Sequence, residues 1–316
     1  MTPNVKTDLR SRLVQTLAKR DPGARVAMVG WSAAAIELSA DPIFTQGAAT
    51  LVGRYAAQAG GSILPLSELA SSIPDVVVIA EDDGKEPLLR AVAELVPATT
   101  TIVIAGFGHF AFRDELFDRV RRDALIPSFA NGYPNCLVHI YQCLRNARAR
   151  GLTGVVAEFG MFKGGTTMLM SRFIEELGAD WKVIGFDTFN GFPSKRSPLD
   201  MYAHPDCVFL DVDTLRAMFA DRDVEIIEGD VVETCARLDD ERLVLSFVDT
   251  DNFTSASAIL AVIADRTQVG GAVVFDHWTG VDRHLDTIGE RMAAMTLAAD
   301  PRYFNLHGTG VFLRQE

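Results

Sequence analysis

A chain of 316 residues, 48% hydrophobic and 23% charged, is long enough for two packed domains and has the composition of an ordinary globular protein. Its net charge of −12 argues against a surface built to grip nucleic acid or an anionic membrane. The opening residues, MTPNVKTDLRSRLVQTLAKR, lack the apolar core of a signal peptide. No run approaches the ~18 apolar residues needed to span a bilayer, so a cytoplasmic location is expected. Cys136, Cys143, Cys207 and Cys235 are scattered without metal-ligand spacing, which predicts structural thiols rather than disulfides or a zinc site.

In chain order, residues 8–19 have helical periodicity, with Leu9, Leu13, Val14 and Leu17 on one face. Asp21-Pro22-Gly23 ends them. A short buried strand follows at 25–30 and a helix at 33–38. The segment 62–66 contains Pro65, which demotes it to an edge strand. Strands are predicted at 75–80 and 100–106, and helices at 87–95 and 111–122. The turn Glu81-Asp82-Asp83-Gly84 reads as solvated, with a metal cluster the less favoured option. Apolar strands alternating with helices imply a parallel sheet covered on both faces. Residues 1–125 are therefore expected to form a small α/β, Rossmann-like accessory domain. Its first turn, Gly30-Trp31-Ser32-Ala33, carries one glycine of the dinucleotide fingerprint, and Trp31 fills the space a pyrophosphate would need. Cofactor binding is not expected there. A scaffold, substrate-presenting or dimerisation role is, with a homodimer as one expected assembly.

Residues 126–135, rich in Pro, Gly and Asn, predict a linker or mobile loop, and 136–148 a helix. The stretch 155–167, VVAEFGMFKGGTT, then reads as strand, glycine turn and helix start. That arrangement aims backbone N–H groups at an anionic part of a ligand. Leu169, Phe173, Ile174 and Leu177 continue the helix to Gly178. Further strands are predicted at 181–187, 224–228, 243–249 and 272–276, with a polar insertion at 194–207. A helix at 282–298 and a hairpin at 303–314 close the chain. Five successive strands end at or beside an acidic residue: Glu158, Asp187, Asp230, Asp249 and Asp276. In an open α/β sheet the carboxyl edge is where ligands bind, so residues 126–316 are expected to hold the active site. A nicotinamide oxidoreductase is disfavoured, because neither glycine turn gives G-x-G-x-x-G with a suitable acidic residue beyond it.

Four stretches, AEFGMFKGGTT, FDTFNGFP, VDTDNF and GGAVVFDHW, occur in an order that resembles class I S-adenosylmethionine-dependent methyltransferases. More narrowly they resemble the macrocin O-methyltransferases, metal-dependent enzymes that methylate sugar hydroxyls in antibiotic biosynthesis. The resemblance covers the chain from about residue 136 onward and none of the first domain. It implies a class I methyltransferase sheet with an antiparallel C-terminal hairpin, and a small-molecule acceptor rather than nucleic acid or membrane.

The resemblance also implies roles. Gly160, Gly164 and Thr166 would form the turn against the methionine part of S-adenosylmethionine, with Glu158 orienting it or meeting the amino group. Asp187 would bind the ribose diol, and Gly229 and Asp230 would border the adenine. Plain turn geometry is the alternative for the glycines, and a helix cap the alternative for Asp187. Methyl transfer needs an acceptor oxygen that sheds its proton, which a metal or a base assists. Asp249 and Asp276 would share a divalent cation, Mg²⁺ being expected and Mn²⁺ or another the alternative. The family usually carries Asp-Asp at the last position; here it is Asp276-His277. His277 would join the metal site, suiting softer cations, or act as a base. Asp251 matches the family's base, with a cap of the helix near Thr254 as its alternative. Trp278 is expected to pack the site wall; Tyr133, Tyr141 and the 194–207 insertion are lid candidates. The expected function is a metal-assisted O-methyltransferase of a sugar or phenol hydroxyl. The competing one is a catalytically silent S-adenosylmethionine-binding subunit whose first domain recruits a partner.

Overall fold

The computed structural model describes residues 5–132, 134–279 and 285–316, with side chains from Leu9 onward. Tyr133 and the first residues of the predicted 282–298 helix lie outside the described residues. The chain divides into two compact units, Met1–Phe112 and Arg113–Glu316. The helix Glu115–Arg122, assigned to the first domain by its place in the sequence, belongs to the second unit.

In the first unit, strands β1 (Ala24–Val29), β2 (Ala49–Ala56), β3 (Leu64–Pro65), β4 (Val76–Ile79) and β5 (Thr101–Ile104) form a parallel sheet in the order β3-β2-β1-β4-β5. Strand β4 is buried throughout, as its run of Val and Ile predicts. Strand β2 escapes sequence reading: in Ala-Thr-Leu-Val-Gly-Arg-Tyr-Ala the apolar pattern is interrupted by Gly53 and Arg54, and the four residues from Leu51 to Arg54 are only half-buried. The acidic turn after β4 is not simply solvated. Glu81 accepts the backbone N–H groups of Trp31 and Ser32, so a carboxylate of the protein itself occupies the anion position of the first glycine turn. Asp82 pairs at 2.8 Å with Lys85, a buried ammonium that also donates to the Ala105 and Gly106 carbonyls.

In the second unit, β6 (Val155–Phe159), β7 (Lys182–Asp187), β8 (Val224–Glu228), β9 (Leu243–Val248), β10 (Thr267–Phe275), β11 (Tyr303–Asn305) and β12 (Val311–Arg314) form one sheet in the order β11-β12-β10-β9-β6-β7-β8. The first five strands are parallel, and β12 runs antiparallel to both β10 and β11. This is the predicted class I methyltransferase sheet with its closing hairpin. Every residue of β6 and β9 is buried, which is why both read as nearly continuous apolar runs. From β6 the chain builds outward to β7 and β8, then returns to place β9 on the other side of β6. The junction of β6 and β9 is thus the topological switch point, where ligands bind in open α/β sheets.

Candidate active site

The turn after β6 passes directly over the end of β9. Gly160 has φ +92°, and a Cβ there would land on the Asp249 carbonyl oxygen. The next glycine, Gly164 (φ +73°), precedes the helix Gly165–Glu176; a Cβ there would press on Phe219 and Leu215. Gly160 thus permits close approach at the cavity, while Gly164 serves helix entry and packing. Gly164, at the N-cap, has no side chain to cap this helix, whose start faces the cavity through Gly165 and Thr166.

A cavity of about 510 Å³ opens at this point, lined by Glu158, Gly160, Thr166, Asp187, Gly229, Asp249, Asp251, Asp276 and His277 among others. Asp187 accepts the N–H groups of Phe162 and Phe189, each at 2.7 Å, and so shapes the turns after β6 and β7. Burial pushes its carboxyl pKa up, against the pull of those N–H groups. A carboxylate offers about four acceptor positions, so a diol still finds acceptors on Asp187. Glu158 is wholly buried within β6 and accepts from the Thr167 hydroxyl. Burial raises its pKa to about 8. Asp230, by contrast, caps the helix Val231–Thr234 and pairs at 2.8 Å with Arg196, while its neighbours Gly229 and Val231 line the cavity wall.

The remaining carboxylates converge on one nitrogen. His277 Nε2 lies 2.9 Å from Asp251 Oδ1, 3.6 Å from Asp249 Oδ1 and 3.6 Å from Asp276 Oδ2. Donor atoms of Asp249, Asp251 and His277 all fall within 4.8 Å of one another, the spacing of a cation's ligands. Asp276, buried to 3% exposure, accepts the Gly132 N–H on its other oxygen at 2.7 Å. Burial and the Asp276 charge hold the Asp249 pKa well above the usual carboxylate range. Burial opposes the charge on His277, but the carboxylates of Asp249 and Asp251 outweigh it and push its pKa up to about 12. With its imidazole neutral, His277 Nε2 joins these carboxylates in a donor set that fits a divalent cation.

Asp251 is not a helix cap: the helix Phe253–Arg266 starts from Asn252. Instead Asp251 is held at φ +60°. Phe162 (φ +50°) and Phe189 (φ +53°) share that conformation, so three strand ends around this cavity hold non-glycine residues in it. Such backbone costs about 1–3 kcal/mol per residue and gathers at functional sites.

Residues 127–315 match the model of the macrocin O-methyltransferase family. The chain belongs to this family. It is an enzyme, an S-adenosylmethionine-dependent O-methyltransferase. A curated relative from Streptomyces olivaceus, 8-demethyl-8-(2,3-dimethoxy-alpha-L-rhamnosyl)-tetracenomycin-C 4'-O-methyltransferase, is 23% identical over 191 residues, covering 56% of this chain and 72% of the relative. Among solved structures, the O-methyltransferase NovP is 20% identical with a TM-score of 0.47, covering 57% of this chain and 78% of its own. The calicheamicin methyltransferase CalS11 is 19% identical with a TM-score of 0.46, covering 65% and 95%.

Several wall residues of this macrocin O-methyltransferase family member were not singled out from sequence. Phe129 and Asn131, from the segment read as a linker, line the cavity, and Ser128 is hydrogen-bonded to Thr166 at 2.7 Å. The 194–207 insertion contributes Tyr202, His204, Asp206 and Cys207. It is anchored next to the acidic cluster: the Tyr202 N–H donates to Asn252 Oδ1 and the Asn252 amide donates to the Tyr202 carbonyl, both at 3.0 Å. Tyr141 is no lid. It is buried against Phe117 and Phe173 and donates to Asp114 at 2.7 Å. Trp278 packs edge-on against Phe312, with the Arg291 guanidinium 4.4 Å over its ring. All four cysteines are free thiols, and no helix among the described residues is long and apolar enough to cross a membrane.

Proposed function

We propose that this enzyme transfers the methyl group of S-adenosylmethionine to a sugar hydroxyl of a small polar natural product, assisted by a divalent cation. The observation carrying the reading is the convergence of Asp249, Asp251 and Asp276 on His277 Nε2 in the cavity that the Gly160 turn and Asp187 also line. Membership of the family and the sugar-methylating relative support the acceptor class. The net charge of −12 favours a small-molecule acceptor over nucleic acid or membrane lipid.

In this reading the helix start at Gly165 and the Gly160 turn hold the methionine portion of the donor, and Asp187 takes the ribose hydroxyls. Gly229 borders the adenine, while Asp230 acts on it only through the turn it caps. Asp249, Asp276 and His277 would hold the cation, which would make the acceptor hydroxyl more acidic. Asp251 accepts the acceptor's proton as the oxygen attacks. The new C–O bond forms in line as the C–S bond breaks, and the sulfonium leaves as a neutral thioether.

A silent binding subunit is disfavoured, because a merely binding protein has no need for three carboxylates gathered around one imidazole. The test is methyl transfer from labelled S-adenosylmethionine to a panel of deoxysugar-bearing acceptors, run beside Mn²⁺ and S-adenosylhomocysteine titrations. Asp251→Asn should lose ~10²–10⁴-fold in turnover with cation affinity retained. Asp249→Asn and Asp276→Asn should lose cation affinity, with the cofactor product still bound. Loss of Mn²⁺ affinity in Asp251→Asn but not in Asp276→Asn would exchange the roles of those two carboxylates. Full turnover in all three would refute the mechanism.

A further inference from the structure

One acidic side chain beside this site has no part in the mechanism above. Glu290, on the helix Ile288–Ala298, is 0% exposed. Its Oε2 accepts the backbone N–H groups of Thr250 at 2.8 Å and Asp251 at 3.0 Å, and its Oε1 accepts that of His277 at 3.1 Å. The first two belong to the loop after β9 and the third to the loop after β10, two neighbouring parallel strands. A single carboxylate therefore ties together the loops that present Asp249, Asp251, Asp276 and His277.

We propose that Glu290 is a positioning residue for this cluster, fixing both loops without touching substrate; the assignment rests on the functional reading given above. The backbone of Asp251 is the clearest sign. At φ +60° it is strained, and a hydrogen bond from its own N–H to Glu290 opposes relaxation. The approach of the helix is a second, independent sign. A Cβ on Gly289 would land on the Leu199 carbonyl oxygen and 2.9 Å from the Phe253 nitrogen. Only glycine lets the helix come this close to the insertion and to the start of the helix Phe253–Arg266, and Glu290 follows immediately. The rest of its face, Ala293, Ala294 and Leu297, is buried and apolar. Burying a carboxylate on such a face is unfavourable unless its oxygens are well occupied, and here three N–H groups occupy them.

The experiment compares the full-length wild type with Glu290→Gln and Glu290→Ala. Mn²⁺ affinity is read by electron paramagnetic resonance, S-adenosylhomocysteine affinity by calorimetry, and amide exchange by mass spectrometry over residues 249–252 and 275–278. Glutamine keeps the size but turns an amino group toward at least one N–H donor. Positioning predicts a 10–100-fold loss of Mn²⁺ affinity. It also predicts faster exchange confined to those two segments, and S-adenosylhomocysteine affinity within twofold of wild type. Wild-type Mn²⁺ affinity with unchanged exchange in Glu290→Gln would overturn the proposal. So would parallel loss of both affinities with exchange raised throughout the second unit, the mark of a general structural brace. If wild type itself binds no Mn²⁺, the cation reading fails separately and exchange decides: local acceleration upholds the positioning role, and unchanged exchange overturns it.

Discussion

Glu158 shows what single residues contribute here and what they cost. It sits wholly buried in the middle of the second sheet with Thr167 as its hydrogen-bond partner, and its pKa is raised to about 8 from an ordinary 4.5. A carboxyl whose pKa is raised by folding stabilises the fold fully below its unfolded pKa. That contribution is lost as pH rises through the folded value. The apoenzyme should therefore lose stability between about pH 4.5 and 8 through this group, and Glu158→Gln should flatten that part of the profile. Calorimetric unfolding of both proteins across this range measures it, and parallel profiles would contradict it. The acidic residues at strand ends were legible in sequence because each follows an apolar run. Their division of labour was not. Asp187, Asp249 and Asp276 face the cavity, while Asp230 is spent on a helix cap and an ion pair with Arg196. Glu290 was within reach of sequence reading: it follows a glycine and lies on the same helical face as Ala293, Ala294 and Leu297.

At the scale of elements, strand, turn and helix at 155–167 form a unit whose geometry depends on the neighbouring strand. Gly160→Ala would place a methyl group against the Asp249 carbonyl and force an L-residue to φ +92°. The strain alone is about 1–3 kcal/mol. We expect S-adenosylhomocysteine affinity to fall at least tenfold, with the sheet retained by circular dichroism; undiminished affinity would show that the turn does not cradle the donor. The parallel strands of both units were readable because strands buried on both faces are continuous apolar runs. Strand β2 was not, being half-buried and interrupted by Gly53. Loops were the least legible elements. Composition marked 126–135 and 194–207 as irregular, but their place in the cavity wall depends on contacts distant in sequence, such as Gly132 with Asp276 and Tyr202 with Asn252.

For the whole molecule, the two units carry different information. The second places its chemistry at the switch point between β6 and β9, as topology requires of an open α/β sheet. The first has the same alternating architecture, yet its glycine turn is filled from within by Glu81. A single donor site, in the second unit, is the central claim. The most direct test is unfolding of the full chain with S-adenosylhomocysteine, with NAD, and with neither, repeated on Asp187→Ala. Ligand that binds only the folded state at ~100 times its Kd adds about 2.7 kcal/mol to stability. We predict that gain for S-adenosylhomocysteine on the wild type, its loss in Asp187→Ala, and no gain with NAD. Stabilisation by NAD, or an S-adenosylhomocysteine gain untouched by Asp187→Ala, would contradict the account.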